Sequence, residues 1–228
     1  MFDGKFRTPV DRAVKPMGNL LRKTGLTPDH LTVLGLLVGI GAAIAIGSEH
    51  LRIGLLLVIL AALPDLLDGA LAKAQNTSSQ RGAFFDSTVD RITDALLLGG
   101  IAWYLASTES PHMSILPFAV ASVSSLISYQ RAKAESLGID AKGGLMERAE
   151  RIIAICIGLL FQPLLIPILW IMLVLTSITA IQRFVKVWKQ AAVAPVTAAR
   201  IEMRRSRRQS RRVARTERRR TRVPRRRP

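Results

Sequence analysis

Five stretches free of Asp, Glu, Lys and Arg constrain this chain more than anything else in it: Leu31 to Ser48, Ile53 to Pro64, Ala95 to Ser107, Ser110 to Gln130 and Ile152 to Gln182. A helix crosses a bilayer core with about 20 largely apolar residues. It also satisfies its own backbone hydrogen bonds, which lipid cannot do. The last stretch is too long for one crossing, and Gln162, Pro163 and Pro167 interrupt it as a turn would. The pattern predicts an all-α integral membrane protein with six transmembrane helices.

Before the first span, Pro9 to Lys23 sets Val10, Val14, Met17 and Leu21 among basic residues, the pattern of an amphipathic helix lying on a membrane surface. It lacks the unbroken apolar core and small-residue cleavage site of a signal peptide, so it is expected to remain in the mature protein. The segment before the first span, the loop after the second (Lys73, Arg81) and the loop after the fourth (Arg131, Lys133, Lys142, Arg148, Arg151) are basic. The loops at Ser107 to Met113 and Phe161 to Pro167 hold no Lys or Arg, and the one near Ser48 holds Arg52 alone. The positive-inside bias then puts both termini in the cytoplasm of a multi-pass plasma-membrane protein.

Of the 33 Lys and Arg, 15 are arginines from Arg200 onward, against two Glu, so this segment holds +13 of the formal +17. Its low apolar content predicts disorder and attraction to anionic lipid head groups, in preference to nucleic acid. The chain thus divides into a segment 1–26, a six-helix domain 27–190 and an arginine-rich tail 191–228. Cys156 is the single cysteine, so no internal disulfide forms. His30, His50 and His112 show no metal-ligand spacing.

The chemistry sits between the second and third spans. Asp65 and Asp68 are three residues apart, and Gly69, Ala72 and Lys73 continue their helical face; after a polar turn, Gly82, Asp86 and Asp90 recur every four. Residues three and four apart share one side of a helix, so two antiparallel helices aim four carboxylates at one point. Carboxylates so close repel strongly unless cations neutralise them, and oxygen ligands without His or Cys favour Mg²⁺ or Mn²⁺. The small residues leave room for a ligand near the backbone, and Lys73 suits a phosphate. Asp94 extends the second stripe by one turn and reads as a supporting acid inside the bundle.

This run, Asp65-x2-Asp68-Gly69-x2-Ala72-Lys73-x8-Gly82-x3-Asp86-x3-Asp90, resembles the signature of the CDP-alcohol phosphotransferases, membrane enzymes of six helices. It departs at Lys73, where the family usually has Arg, whose planar fork binds phosphate in two places. The resemblance implies two divalent ions per site, held by Asp65, Asp68, Asp86 and Asp90, with Asp90 also acting as general base. It further implies that an alcohol attacks the phosphorus bearing the diacylglycerol of a CDP-linked lipid and that CMP leaves. Gly69, Ala72 and Lys73 would line the CDP pocket with Asp65. Thr32, in "TPDHLT", matches a position near the nucleotide and equally suits helix capping.

The acceptor is read from the second half of the chain. Arg131, Lys133, Arg148 and Arg151 fall at the ends of the fourth and fifth spans, and Arg183 follows some thirty uncharged residues and needs an anionic partner. Such a cluster suits an alcohol that carries its own phosphate. "SYQRAKAE" and "GGLMERAER" resemble, more narrowly, the actinobacterial phosphatidylinositol-phosphate synthases. That likeness implies inositol 1-phosphate as acceptor, held by Arg131, Arg151 and Arg183 with Lys133 and Arg148 nearby, and a homodimer. Glycerol 3-phosphate is the alternative acceptor, and an ion or anion transporter the alternative class. Ser122, Ser124, Ser125 and Ser128 suit close packing of the fourth helix, within or between subunits.

Overall fold

The computed structural model describes residues 27–75, 79–141 and 143–192, with backbone alone for 65–75. The amphipathic segment and the arginine-rich tail therefore lie outside the described residues, as does Lys142. Six α-helices run through the described chain: α1 (Pro28–Gly47), α2 (Leu51–Gln75), α3 (Gln80–Thr108), α4 (Ile115–Ser136), α5 (Arg148–Leu160) and α6 (Leu165–Ala191). Short 3₁₀ turns at Pro111–Ser114 and Gln162–Leu164 precede α4 and α6. No strand occurs among the described residues. The Gln162 and Pro163 interruption is the α5–α6 turn, and Pro167 falls in the first turn of α6, where its missing N–H has no intrahelical partner to lose. A boundary between Phe184 and Val185 divides the chain into two units; the packing below concerns the first.

Thr27 starts α1 with a capping box: its hydroxyl accepts the His30 N–H at 3.3 Å while the His30 ring faces the Thr27 N–H at 3.4 Å. Capping is thus done by Thr27, and Thr32 lies a full turn inside α1, buried, with its hydroxyl donating to the Pro28 carbonyl. The inward face of α1 is lined with small residues, Gly35, Gly39, Ala42 and Ala43, which lets its neighbours approach closely. A Cβ at Gly100 on α3 would lie 2.5 Å from the Ala43 carbonyl oxygen, so glycine is required where α1 crosses α3.

Leu97, Leu98, Ile101, Tyr104 and Leu105 of α3 are buried with Ile46, Leu116, Val120, Ile155, Leu159, Leu169 and Met172 in one apolar core. Outward faces are also apolar: Leu34 and Leu37 on α1, Leu56 and Leu60 on α2, Phe118 on α4, and Trp170, Ile171 and Val174 on α6 are exposed. A helix apolar on all sides belongs in lipid. Three segments are long and apolar enough to cross a membrane, Pro28–Gly47, Pro111–Ser136 and Gln162–Ala191, with Leu51–Pro64 a shorter apolar stretch within α2. The protein is an all-helical integral membrane protein. The other helices fall short for visible reasons. The first half of α3 is charged, and the 13 residues of α5 extend about 20 Å at 1.5 Å per residue.

Candidate active site

The polar half of α3 makes the site. Gly82, Asp86, Asp90 and Asp94 occupy one face, and the same face continues as buried Leu97, Ile101 and Leu105. The stripe is half-buried along its charged part and passes into fully buried hydrocarbon after one further turn. Asp86 and Asp90 are half-buried. Asp65, Asp68, Gly69, Ala72 and Lys73 fall in the last turns of α2, which lead to the N-terminal end of α3; their side chains lie outside the described residues.

The N-terminus of α5 meets this stripe. Arg148 Nη1 lies 2.8 Å from Asp90 Oδ1, and its Nε lies 3.5 Å from Asp94 Oδ1. Arg151, one turn further and only 4% exposed, donates to Asp94 Oδ2, and the Asp94 side chain itself is 14% exposed. Arg91 reaches Asp94 at 3.8 Å and Asp90 at 4.0 Å, and its Nη1 donates to the Ser128 hydroxyl of α4. Asp94 thus receives three guanidinium groups. Sequence reasoning gave Asp94 a supporting role but passed over Arg91, although its spacing of three from Asp94 was a legible pairing signal. Ser124 is buried, and the Ser128 hydroxyl accepts from Arg91 of α3.

A second layer fixes α5 in place. Gly143, at φ +94°, and Gly144 carry the chain across α6, where the Thr179 hydroxyl accepts the N–H groups of Leu145 and Met146, both at 3.2 Å. A Cβ at Gly144 would collide with the Thr179 methyl group. Arg183 is buried; it donates to the carbonyls of Ile127 at 2.8 Å and Gly143 at 3.0 Å and stands 3.9 Å from Glu147. Its anionic partner is therefore the Glu147 carboxylate, and two backbone carbonyls accept its nearer hydrogen bonds. Thr179, a further residue not singled out from the sequence, and Arg183 together tie α4, the α4–α5 loop and α6 into one support for Arg148 and Arg151.

The remaining predicted cations spread further. Arg131 is half-exposed and pairs with Glu135 at 3.0 Å; it and Arg151 lie within electrostatic reach of Arg183. Lys133 is exposed, two residues and so about 200° around α4 from Arg131. A cavity of about 430 Å³ lined by Glu49, His50, Arg52, Tyr104 and Gln162, among others, lies at the opposite end of the helices from Asp90.

Among the described residues no group of three His, Cys, Asp or Glu side chains is placed to hold a metal ion. The donor set nevertheless suits a hard divalent cation: α3 contributes two carboxylates one turn apart and no nitrogen or sulfur ligand, and the two α2 aspartates stand on the helix leading into it.

The family model for CDP-alcohol phosphatidyltransferases matches residues 25–197. The chain belongs to the CDP-alcohol phosphatidyltransferase family. It is 35% identical over 202 residues to the phosphatidylinositol phosphate synthase of Corynebacterium glutamicum, covering 85% of this chain and 92% of that one. The solved phosphatidylinositol phosphate synthase of Mycobacterium tuberculosis with CDP-DAG bound superposes with a TM-score of 0.73 at 33% identity, over 78% of this chain and 94% of the other. The same mycobacterial enzyme in complex with manganese and citrate gives 0.72 at 32% identity, over 77% and 88%. As a phosphatidyltransferase the chain is an enzyme of phospholipid synthesis, and the manganese complex shows that a relative takes a divalent metal, in keeping with the oxygen-only donor set here.

Proposed function

We propose that the protein transfers the phosphatidyl group of CDP-diacylglycerol to inositol 1-phosphate, giving phosphatidylinositol phosphate and CMP. The observation that carries this reading is the meeting of α5 with α3, where Arg148 and Arg151 stand directly beside the base candidate Asp90 and its neighbour Asp94. An acceptor bound there has its hydroxyl at the carboxylate and its phosphate among guanidiniums. A neutral alcohol has no use for that cluster.

Asp65, Asp68, Asp86 and Asp90 would hold the divalent metal, Mg²⁺ or Mn²⁺, as two ions. When bound, the metal neutralises the carboxylates and spreads the negative charge that develops on the phosphoryl oxygens. Gly69, Ala72, Lys73 and Thr32 border the nucleotide. Asp90 takes the proton of the acceptor hydroxyl as its oxygen attacks phosphorus, and the bond to CMP breaks. Arg131, Arg151 and Arg183 hold the acceptor phosphate, with Lys133 and Arg148 beside it; the two carbonyls on Arg183 keep its plane fixed while Arg131 is free to swing from Glu135. All six helices are inserted in the membrane, with both termini and this site on the cytoplasmic side, and the protein works as a homodimer.

Purified protein given CDP-diacylglycerol and Mg²⁺ is expected to release CMP with inositol 1-phosphate and not with free inositol or serine. Release with glycerol 3-phosphate alone would move the assignment to phosphatidylglycerophosphate synthesis. The arginine-rich tail attaches to anionic lipid and is not part of the site. Truncation after Gln190 is therefore expected to leave turnover in detergent within about twofold while weakening sedimentation with anionic vesicles; loss of turnover in a folded truncated protein would contradict this.

A further inference from the structure

A threonine inside a membrane helix ordinarily turns its hydroxyl back onto the carbonyls of its own preceding turn. Thr176 of α6 does only that, donating to Met172 and Leu173. Thr179, as fully buried as Thr176, bonds the Leu175 carbonyl in the same way. Its oxygen also accepts two N–H groups from outside the helix, those of Leu145 and Met146, each at 3.2 Å. A hydroxyl has one proton and two lone pairs, so the Thr179 hydroxyl is used to capacity. Among the described residues neither loop N–H has another acceptor.

These bonds belong to a grip on the α4–α5 loop. Gly143 turns the chain at φ +94°, and its carbonyl accepts from Arg183 at 3.0 Å. Gly144 packs against the Thr179 methyl group with no room for a Cβ, and the next two N–H groups end on the Thr179 hydroxyl. Thr179 and Arg183 are four residues apart and share one face of α6. That face therefore engages four successive loop residues, and Glu147 alone separates them from Arg148, the first residue of α5.

We infer that Thr179 is a positioning residue for the acceptor: its hydroxyl fixes where α5 begins, and so where Arg148 and Arg151 present their guanidiniums to the acceptor's phosphate. Groups that bind a substrate depend on a supporting shell that holds them within a fraction of an ångström. This deepens the proposed function and rests on its placing the acceptor phosphate among these arginines. The residues assigned to the nucleotide stand on α1 and α2, so a loosened loop is felt at the acceptor and not at the CDP-lipid. Gly144 and Thr179 also form a size-matched pair, in which a side chain added on the loop needs a methyl group removed from α6.

The test uses full-length proteins in detergent with Mg²⁺. KM for CDP-diacylglycerol and KM for inositol 1-phosphate, or for glycerol 3-phosphate if the wild type uses that instead, are taken from CMP release. Unlike a rate, KM does not depend on how much of a sample is folded. Thr179→Val keeps the branched shape and strands the two N–H groups, one of them on buried Met146; acceptor KM is expected to rise about tenfold. KM for the CDP-lipid should stay within about twofold, as for a change confined to one substrate's binding. Thr179→Ser, which keeps the hydroxyl, and Thr176→Val, which removes a hydroxyl serving only its own helix, should both leave acceptor KM near the wild-type value. Gly144→Ala should raise acceptor KM, and Gly144→Ala with Thr179→Ser should recover it; this pair carries the test if Thr179→Val does not fold. Acceptor KM unchanged in both Thr179→Val and Gly144→Ala would overturn the inference while wild-type transfer stands. So would an equal rise in both KM values, or an equal effect of Thr176→Val, since each marks a merely structural role. Absence of transfer to either phosphorylated alcohol in wild type would overturn the function reading and this inference with it.

Discussion

Asp90→Asn is expected to abolish phosphatidyl transfer while leaving the helices assembled. The substitution keeps the shape of the side chain and removes its charge. Arg148 and Arg91 lose a partner, yet both retain Asp94, at 3.5 and 3.8 Å. On the proposed assignment two functions disappear together, the acceptance of the hydroxyl proton and one carboxylate of the metal set. Removing a general base alone lowers rates by about 10² to 10⁴, so CMP release should fall by at least that much. The melting temperature in detergent should stay close to that of wild type. Retention of a tenth of wild-type turnover by Asp90→Asn would exclude Asp90 as the base.

The second large effect is on stability. Arg151→Ala leaves the Asp94 carboxylate, 14% exposed, without its most buried partner, and breaking a buried ion pair from one side costs about 3 to 5 kcal/mol. Arg91 and Arg148 offset part of this loss. Asp94→Asn is the milder change, because an amide oxygen still accepts from Arg151. Replacing both residues, Arg151→Leu with Asp94→Leu, should recover much of the stability lost by Arg151→Ala, since a well-packed apolar pair often matches a buried ion pair. It should recover no activity, because the proposed acceptor-phosphate site and Arg148 both depend on that corner. Thermal inactivation of the three variants with parallel CMP release separates the two contributions. Full stability in Arg151→Ala would show that the pair does not hold α5 against α3.

The helices were legible from the sequence because lipid excludes charge, which makes each uncharged run a statement about its surroundings. The boundaries between them were legible at Gln162 and Pro163 for the same kind of reason, a local break in backbone hydrogen bonding. The stripe of Gly82, Asp86 and Asp90 followed from helical period alone; its three members are half-buried, and Asp90 meets Arg148 of α5. Periodicity reports which side of a helix is polar and is silent on what that side meets. The Arg151 partner lies 57 residues away on α3, and no local pattern pairs the two.

Arg183 illustrates both sides of this. Its isolation in an apolar run signals a need for a negative partner, and Glu147 stands 3.9 Å away; the carbonyls of Ile127 and Gly143 that it also donates to are groups every sequence contains and none advertises. Thr179 escaped notice for a similar reason, since a hydroxyl in a membrane helix usually bonds its own backbone. Thr179 does so through Leu175 and in addition receives two loop N–H groups.

The central claim is that the acceptor keeps its own phosphate and gains a phosphatidyl group through its hydroxyl. The most direct measurement supplies inositol 1-phosphate carrying ³²P to the purified protein with unlabelled CDP-diacylglycerol and Mg²⁺, then follows the label into extracted lipid. The account predicts label in a lipid with the mass of phosphatidylinositol phosphate, matched mole for mole by CMP and absent with Asp90→Asn. CMP release with all label left in the aqueous phase would contradict it.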